Sequence, residues 1–468
     1  MAGIGFTLRK LTKQGTLLGH SSAYLHAAMA AAGTWILTVA ALGIVIATGI
    51  GTNQEVTHNF IIIITYNFAF SMILSAPLML IMTRAVSDLF YLKSSRYIPG
   101  IFLGGLVMMY AIQIPFVICF YFFFFDLPFA LSMSAAINFM LISHLWIISV
   151  FLGVLKDYKT ITAAFFFGMI MVALTSNALG DIAQEAGMVH GFNLGLSLAL
   201  AILLARFLFE YSFSFQRPFL FVRYFKNYWF LALVGLVQNI SLWIDKWIMW
   251  LAPEAEISSL HLYSYIPYER ALFLAYFITL IPVLSYFLLI FETRFFESFY
   301  NFYTSINKHA TYDKIERNKE TVVTQAVNGM KNIAVLQAII CLMSLALAPY
   351  ILRLLHIPLS EVSMFRFGIV GASFYAFLLL LIILLHYFNK HGEALRINAF
   401  FLLSNALGTY FFMKAGFAYY GVGYCLAAIL SFAYAITRVN YHLAHLSHYF
   451  FIDACYAPLS PFEEEGLI

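Results

Sequence analysis

Charged side chains inside long apolar runs are the first candidates for chemistry, because a charge in hydrocarbon is costly unless it is paired, wetted or used. Arg206 and Glu210 stand four residues apart in LALAILLARFLFEYS, on one face if the run is helical. With that helix continuing to Arg217, Arg206 falls about 16 Å from its end, near mid-membrane. Asp245 and Lys246 stand in NISLWIDKWIMW. A helix starting near Asn227 puts them roughly 27 Å along, close to the far membrane surface, where Lys246 can snorkel to water. On the same helix Asn239, Trp243, Lys246 and Trp250 share one stripe, and Gln238 and Asp245 another. The chemistry such residues fit is recognition along a polar path: ionic groups to orient a charged cargo and indole faces to stack on it. Two other readings stay open, an internal salt bridge for Arg206 and Glu210 and an interfacial anchor for Asp245 and Lys246.

Catalytic grammar is missing. The chain has no P-loop, no GxSxG, and no GxGxxG following a strand. His442, His445 and His448 give HxxHxxH without the further ligands a metal needs, so they read as a polar interfacial face. Cys119, Cys341, Cys425 and Cys455 lie far apart, mostly within apolar runs, and read as buried thiols. No catalytic residue, metal or cofactor is expected.

The elements that must position these residues are membrane helices. Of 468 residues, 62% are hydrophobic, 18% aromatic and only 10% charged, too few charges to clothe a soluble domain of this size. Runs long enough to span fall near 22–50, 58–82, 97–122, 132–154, 160–179, 190–212, 227–251, 271–292, 331–351, 364–388, 395–414 and 419–438. Lipid offers no partner to a free backbone N–H or C=O, and barrel-type alternation is absent, so the spans are helices. The class expected is all-α and polytopic, with about 12 transmembrane helices in two six-helix lobes.

Most of the 26 Lys and Arg residues occupy alternate loops, among them Arg84, Lys93 and Arg96, then Lys156 and Lys159, then Arg217, Arg223 and Lys226. The opposite loops hold Arg270, Arg353, Arg366 and Lys414. The positive-inside rule then makes both termini cytoplasmic. No cleavable signal is visible, and insertion by internal spans is the expectation.

Four segments follow. Residues 1–21, with Arg9, Lys10 and Lys13, form an amphipathic N-terminal segment. Residues 22–222 form the N-lobe, and 223–438 the C-lobe with a cytoplasmic helical insert at 293–330. Residues 439–468 form a cytoplasmic tail ending in Glu463, Glu464 and Glu465. The insert carries Phe295 and Phe299 at helical spacing and Arg317 and Lys319 among alternating charges, a surface able to dock a cytosolic partner. A plain solvated connector would look the same.

Four strings resemble the PelG family of the Pel exopolysaccharide system. They are the opening MAGIGFTLRKL; TRAVSDLFY from Thr83 to Tyr91; NISLWIDKWIMW from Asn239 to Trp250; and YERALFLAYFITLIP followed by ETRFFESFYNFY. The resemblance implies a flippase-like fold of the multidrug/oligosaccharidyl-lipid/polysaccharide superfamily in the cytoplasmic (inner) membrane. It implies export of a partly deacetylated, cationic amino-sugar polymer in biofilm formation. It also implies work with a cytosolic glycosyltransferase and with membrane subunits that include a cyclic di-GMP receptor. It transfers no catalytic residue.

The function expected is therefore non-enzymatic export of exopolysaccharide through a central polar cavity. Arg206, Glu210, Asn239, Trp243, Asp245, Lys246 and Trp250 line the path in this reading. A polytopic membrane enzyme, such as a sugar polymerase or acyltransferase, would need a positioned base and a sizeable catalytic loop, whereas the outer loops here are short. A small-molecule antiporter of the same superfamily would look almost identical in composition.

Overall fold

The computed structural model describes residues 5, 8–9, 16–48, 54–125, 127–155, 157–211 and 216–456. Lys10, Lys13, Asp126, Lys156 and the acidic end of the tail lie outside them. Helices carry nearly everything described. In chain order they are α1 (Leu17–Thr48), α2 (Gln54–Tyr91), α3 (Ile98–Ile118), α4 (Phe129–Leu155), α5 (Tyr158–Glu210) and α6 (Val222–Met249). After a hairpin of β1 (Glu256–Ile257) and β2 (Tyr263–Ser264) come α7 (Ile266–Tyr286), α8 (Glu292–Asn307), α9 (Tyr312–Leu354), α10 (Val362–Tyr387), α11 (His391–Ala415), α12 (Val422–Ala444) and α13 (Leu446–Tyr456).

Apolar runs dictate these helices, and small polar residues are absorbed without breaking them. Thr83 and Ser87 on α2 return their hydroxyls to the carbonyls of Met79 and Thr83, each at 2.7 Å. One π-turn, Cys119–Phe124, prolongs α3, and another, Phe287–Phe291, joins α7 to α8. Among the described residues nine helices are long and apolar enough to cross a membrane. That tally counts α5 once, although its backbone breaks at Ala183 and Gln184 into arms 158–182 and 185–210. The arms fold back on each other: Thr175 Oγ1 donates to the Gly191 carbonyl at 2.8 Å. A Cβ on Gly191 would lie 2.5 Å from the Ser176 backbone, so only glycine permits that approach. With α1 and α11, which fall outside the tally, the helices make the twelve-span, all-α fold expected from hydropathy.

The chain divides into two compact units. The N-terminal unit holds 32–243 and 249–265; the C-terminal unit holds 1–31, 244–248 and 266–468. Residues 223–243, read from sequence as the start of the C-lobe, thus count with the N-terminal unit. Likewise 22–31 count with the C-terminal unit, and Ala32, where α1 loses helical geometry (φ −141°, ψ 21°), marks that boundary.

Candidate functional sites in the two helical units

Arg206 lies nearer to a helix end than its place in the apolar run suggests. Helix α5 stops at Glu210, and Tyr211 is already extended (φ −108°, ψ 126°), so Arg206 sits four residues, about 6 Å, from the helix end. The expectation of a helix running on to Arg217, on which the mid-membrane depth was counted, is thereby corrected. Arg206 Nε reaches Asp157 Oδ2 at 2.7 Å, and its Nη1 reaches Glu210 Oε2 at 2.9 Å. Asp157 is also the N-cap of α5, accepting from the Thr160 amide at 3.2 Å and the Thr160 hydroxyl at 2.9 Å. Burial disfavours the Asp157 carboxylate, but hydrogen bonds from Arg206 and Thr160 outweigh it and hold the group below its ordinary value. The result is a half-exposed ionic clip joining the start and end of one bent helix.

Asp245 and Lys246 are in the opposite condition. Their side chains are 0% and 1% exposed, so Lys246 does not snorkel to water. The Lys246 ammonium lies 3.1 and 3.2 Å from the two Asp245 oxygens, and the Tyr268 hydroxyl donates to Asp245 at 3.1 Å. The ammonium also stands 5.2 Å from the Tyr276 ring centre and 5.8 Å from that of Phe273. Tyr276 packs on Tyr375 and Tyr424, at 6.1 and 5.8 Å between centres. All these residues belong to the C-terminal unit. Apolar helix α7 and its neighbours close round the pair where the sequence reading expected open interface. Isolated charges would not survive there; mutual pairing, a tyrosine hydroxyl and aromatic faces offset the desolvation of both.

The other predicted path residues have partners of their own within the N-terminal unit. Asn239 hands its amide to the Gly235 carbonyl one turn back, at 2.8 Å. Trp243 is buried in the N-terminal unit. Trp250 lies flat on Tyr66, 4.5 Å between centres with planes 2° apart, and Tyr66 donates to the Tyr263 carbonyl of the hairpin at 2.7 Å. An apolar groove of about 750 Å³ between α3 and α4 of the N-terminal unit contains none of the seven predicted path residues.

The expected docking face is also occupied. Phe295 is fully buried, with Phe291, Phe299 and Tyr387 at 5.3–5.9 Å. Phe299 packs on Phe388 and on Phe450 of α13. The aromatic spacing that suggested a partner instead holds α8 against this chain's own α10 and α13. Lys319 bonds Glu316 at 2.6 Å, while Arg317 is exposed. The three histidines do not share an environment: His442 is buried, and His445 turns back to the Tyr441 carbonyl. No metal-binding cluster occurs among the described residues.

Sequence reasoning missed an amide network in the N-terminal unit. Asn67 on α2 donates to Asn138 on α4 at 2.9 Å, Asn138 donates to Asn193 on α5 at 2.8 Å, and Asn193 donates to the Ser134 carbonyl at 2.9 Å. Tyr121 on the π-turn donates to Asn67. The only signal available was an asparagine inside each of three apolar runs. Also missed were two carboxylates clasped by arginine in the C-terminal unit, Glu361 by Arg270 and Glu393 by Arg396 and Arg438.

The family model "PelG: Putative exopolysaccharide Exporter (EPS-E)" matches residues 1–451. The chain belongs to the PelG family. Members of PelG are exopolysaccharide exporters, so this chain is a multi-pass membrane transporter with a polysaccharide cargo, and not an enzyme. No curated protein matches it. Solved structures of similar fold include an inward-facing multidrug resistance MATE family transporter of the MOP superfamily, 13% identical with a TM-score of 0.61. That match covers 86% of this chain and 94% of the other. A MATE in complex with MaL6 gives 12% identity and a TM-score of 0.62, covering 90% and 95%. A MOP superfamily transporter from Pyrococcus furiosus gives 12% and 0.60, covering 89% and 94%. At such identities the likeness concerns the fold, which this chain shares with those transporters.

Proposed function

We propose that this PelG-family protein carries a Pel-type polymer, a cationic amino-sugar chain, across the cytoplasmic membrane with both termini on the cytoplasmic side. In this reading a cytosolic glycosyltransferase feeds the growing chain, and other membrane subunits, a cyclic di-GMP receptor among them, control the process. The observation that supports a transport role for particular residues is the Asp245–Lys246 pair, 0% and 1% exposed in the C-terminal unit. Apolar residues of like volume would pack there at less cost, so a pair kept at that depth is best accounted for by a step in which it separates. The Tyr268 hydroxyl and the Tyr276 ring touch the pair, and Tyr375 and Tyr424 pack behind Tyr276, so hydroxyls and ring faces are at hand to take over one partner when it does. Arg206 and Glu210, clipped at a helix end, are assigned a structural role instead of a place on the path.

The test is export in cells that make the polymer. Deleting this chain should abolish surface polymer while cytoplasmic synthesis continues. The double variant Asp245→Asn/Lys246→Met, at wild-type abundance, should behave like the deletion. Undiminished surface polymer from that variant would remove the pair from the mechanism, and loss of synthesis on deletion would favour an assembly or enzymatic role.

A further inference from the structure

Helices α11 and α12 present a two-part surface. They approach closely because Gly408 faces Gly423: a Cβ on Gly423 would lie 2.6 Å from the Gly408 carbonyl oxygen and 2.3 Å from the Thr409 amide. On the outer side of α11, Arg396, Phe400, Leu403 and Leu407 follow one another at helical spacing and are all exposed. On α12, Tyr441, Leu430 and Leu426 form the matching exposed stripe, and Tyr434 meets Phe400 at 5.5 Å.

The end of this surface is basic and rigid. Glu393, whose side chain is 10% exposed, accepts from Arg438 at 2.7 and 3.1 Å and from Arg396 at 3.0 Å. One carboxylate thus holds two guanidiniums, leaving a net positive charge. The Arg396 side chain is 65% exposed and that of Arg438 34%. Arg438 also sits 5.6 Å from the ring of Tyr441, an aromatic of the kind enriched at membrane interfaces. From Arg396 to Leu407 the stripe runs about 16 Å. That is close to half of a hydrocarbon core of about 30 Å, the depth of one leaflet.

We propose that this surface is a binding site for an anionic phospholipid, its phosphate on Arg396 and Arg438 and an acyl chain along Phe400, Leu403 and Leu407. Two fixed guanidiniums match the oxygens of a phosphodiester, and the apolar stripe continues from them in the direction the tails take. A soluble anion would use only the basic end, and a partner helix would need no phosphate-sized cluster of charge. The site stands whatever cargo the protein moves.

The experiment is native mass spectrometry of the delipidated full chain titrated with phosphatidylglycerol, phosphatidylethanolamine of the same tails, or inorganic phosphate. Phosphatidylglycerol should be retained about fivefold more than phosphatidylethanolamine, about the effect of one surface arginine. Arg396→Gln should erase most of that preference with no change in melting temperature, because the side chain is largely exposed. Arg396→Gln/Arg438→Gln should erase the rest; where that variant fails to fold, Arg396→Gln alone decides. Equal retention of the two lipids, an unchanged preference in Arg396→Gln, or displacement of phosphatidylglycerol by millimolar phosphate would overturn the proposal. Phosphate displacement would reduce the site to an anion patch, and equal retention would leave it an apolar face suited to any lipid or helix.

Discussion

Two ionic clusters with similar sequence signatures have contrasting environments. In the N-terminal unit, Arg206 bridges Asp157 and Glu210 at the end of a helix, all three partly exposed. In the C-terminal unit, Asp245 and Lys246 are sealed from it. Both appear in sequence as charges within apolar runs. The contrast shows that the position of a charge along a run gives its depth only if the helix ends are known. It also shows that neighbouring helices, not the run itself, decide whether the charge meets water.

Substitutions can break or sharpen this contrast. Lys246→Met alone strands the Asp245 charge, and breaking a buried pair costs about 3–5 kcal/mol. The expected outcome is a steep fall in the thermal midpoint of detergent-solubilised protein, largely regained in Asp245→Asn/Lys246→Met while export stays lost. Full stability of the single variant would show that the pair is wetter than its burial implies. Asn138→Leu interrupts the amide chain from Asn67 to Asn193 and leaves buried partners unmet. Its expected cost is about 1–3 kcal/mol, read as increased proteolysis of the N-terminal unit.

Arg206→Ala should cost about 1 kcal/mol or less, as partly exposed ion pairs do, and surface polymer should remain near the wild-type level. A loss of export equal to that of the Asp245→Asn/Lys246→Met variant would erase the distinction between the clusters. The smallest effect concerns pH. The Asp157 carboxyl is held below its ordinary 3.8 in the folded protein, so its contribution is full above that value and fades as pH falls through the folded one. Melting curves across this acid range should show a shallower pH dependence for Arg206→Ala than for the wild type. Superimposable slopes would mean that Arg206 does not hold the Asp157 charge.

Much of the fold was readable beforehand because hydropathy is a one-dimensional property and lipid enforces helices wherever it persists. The break between the arms of α5 was legible as a polar gap at Asp181–Glu185, between two apolar runs. The sites were less legible. Phe295 and Phe299 looked like a docking face, since spacing alone does not distinguish a stripe awaiting a partner from one filled by Tyr387, Phe388 and Phe450 far along the chain. Asn67, Asn138 and Asn193 carried no motif, because their meaning lies in mutual distances across three helices.

By itself the sequence determined the solvent of this protein, the helical form of its spans, the family strings and the scarcity of charge that makes each ionic residue worth explaining. Tertiary structure alone decided which charges are sealed and which are exposed, and which carboxylate serves as a shared clasp for two arginines. The physical reason is that the free energy of a charge depends on whatever lies within a few ångströms of it. For Lys246 those neighbours include Phe273 and Tyr276, which only the folded chain brings beside it.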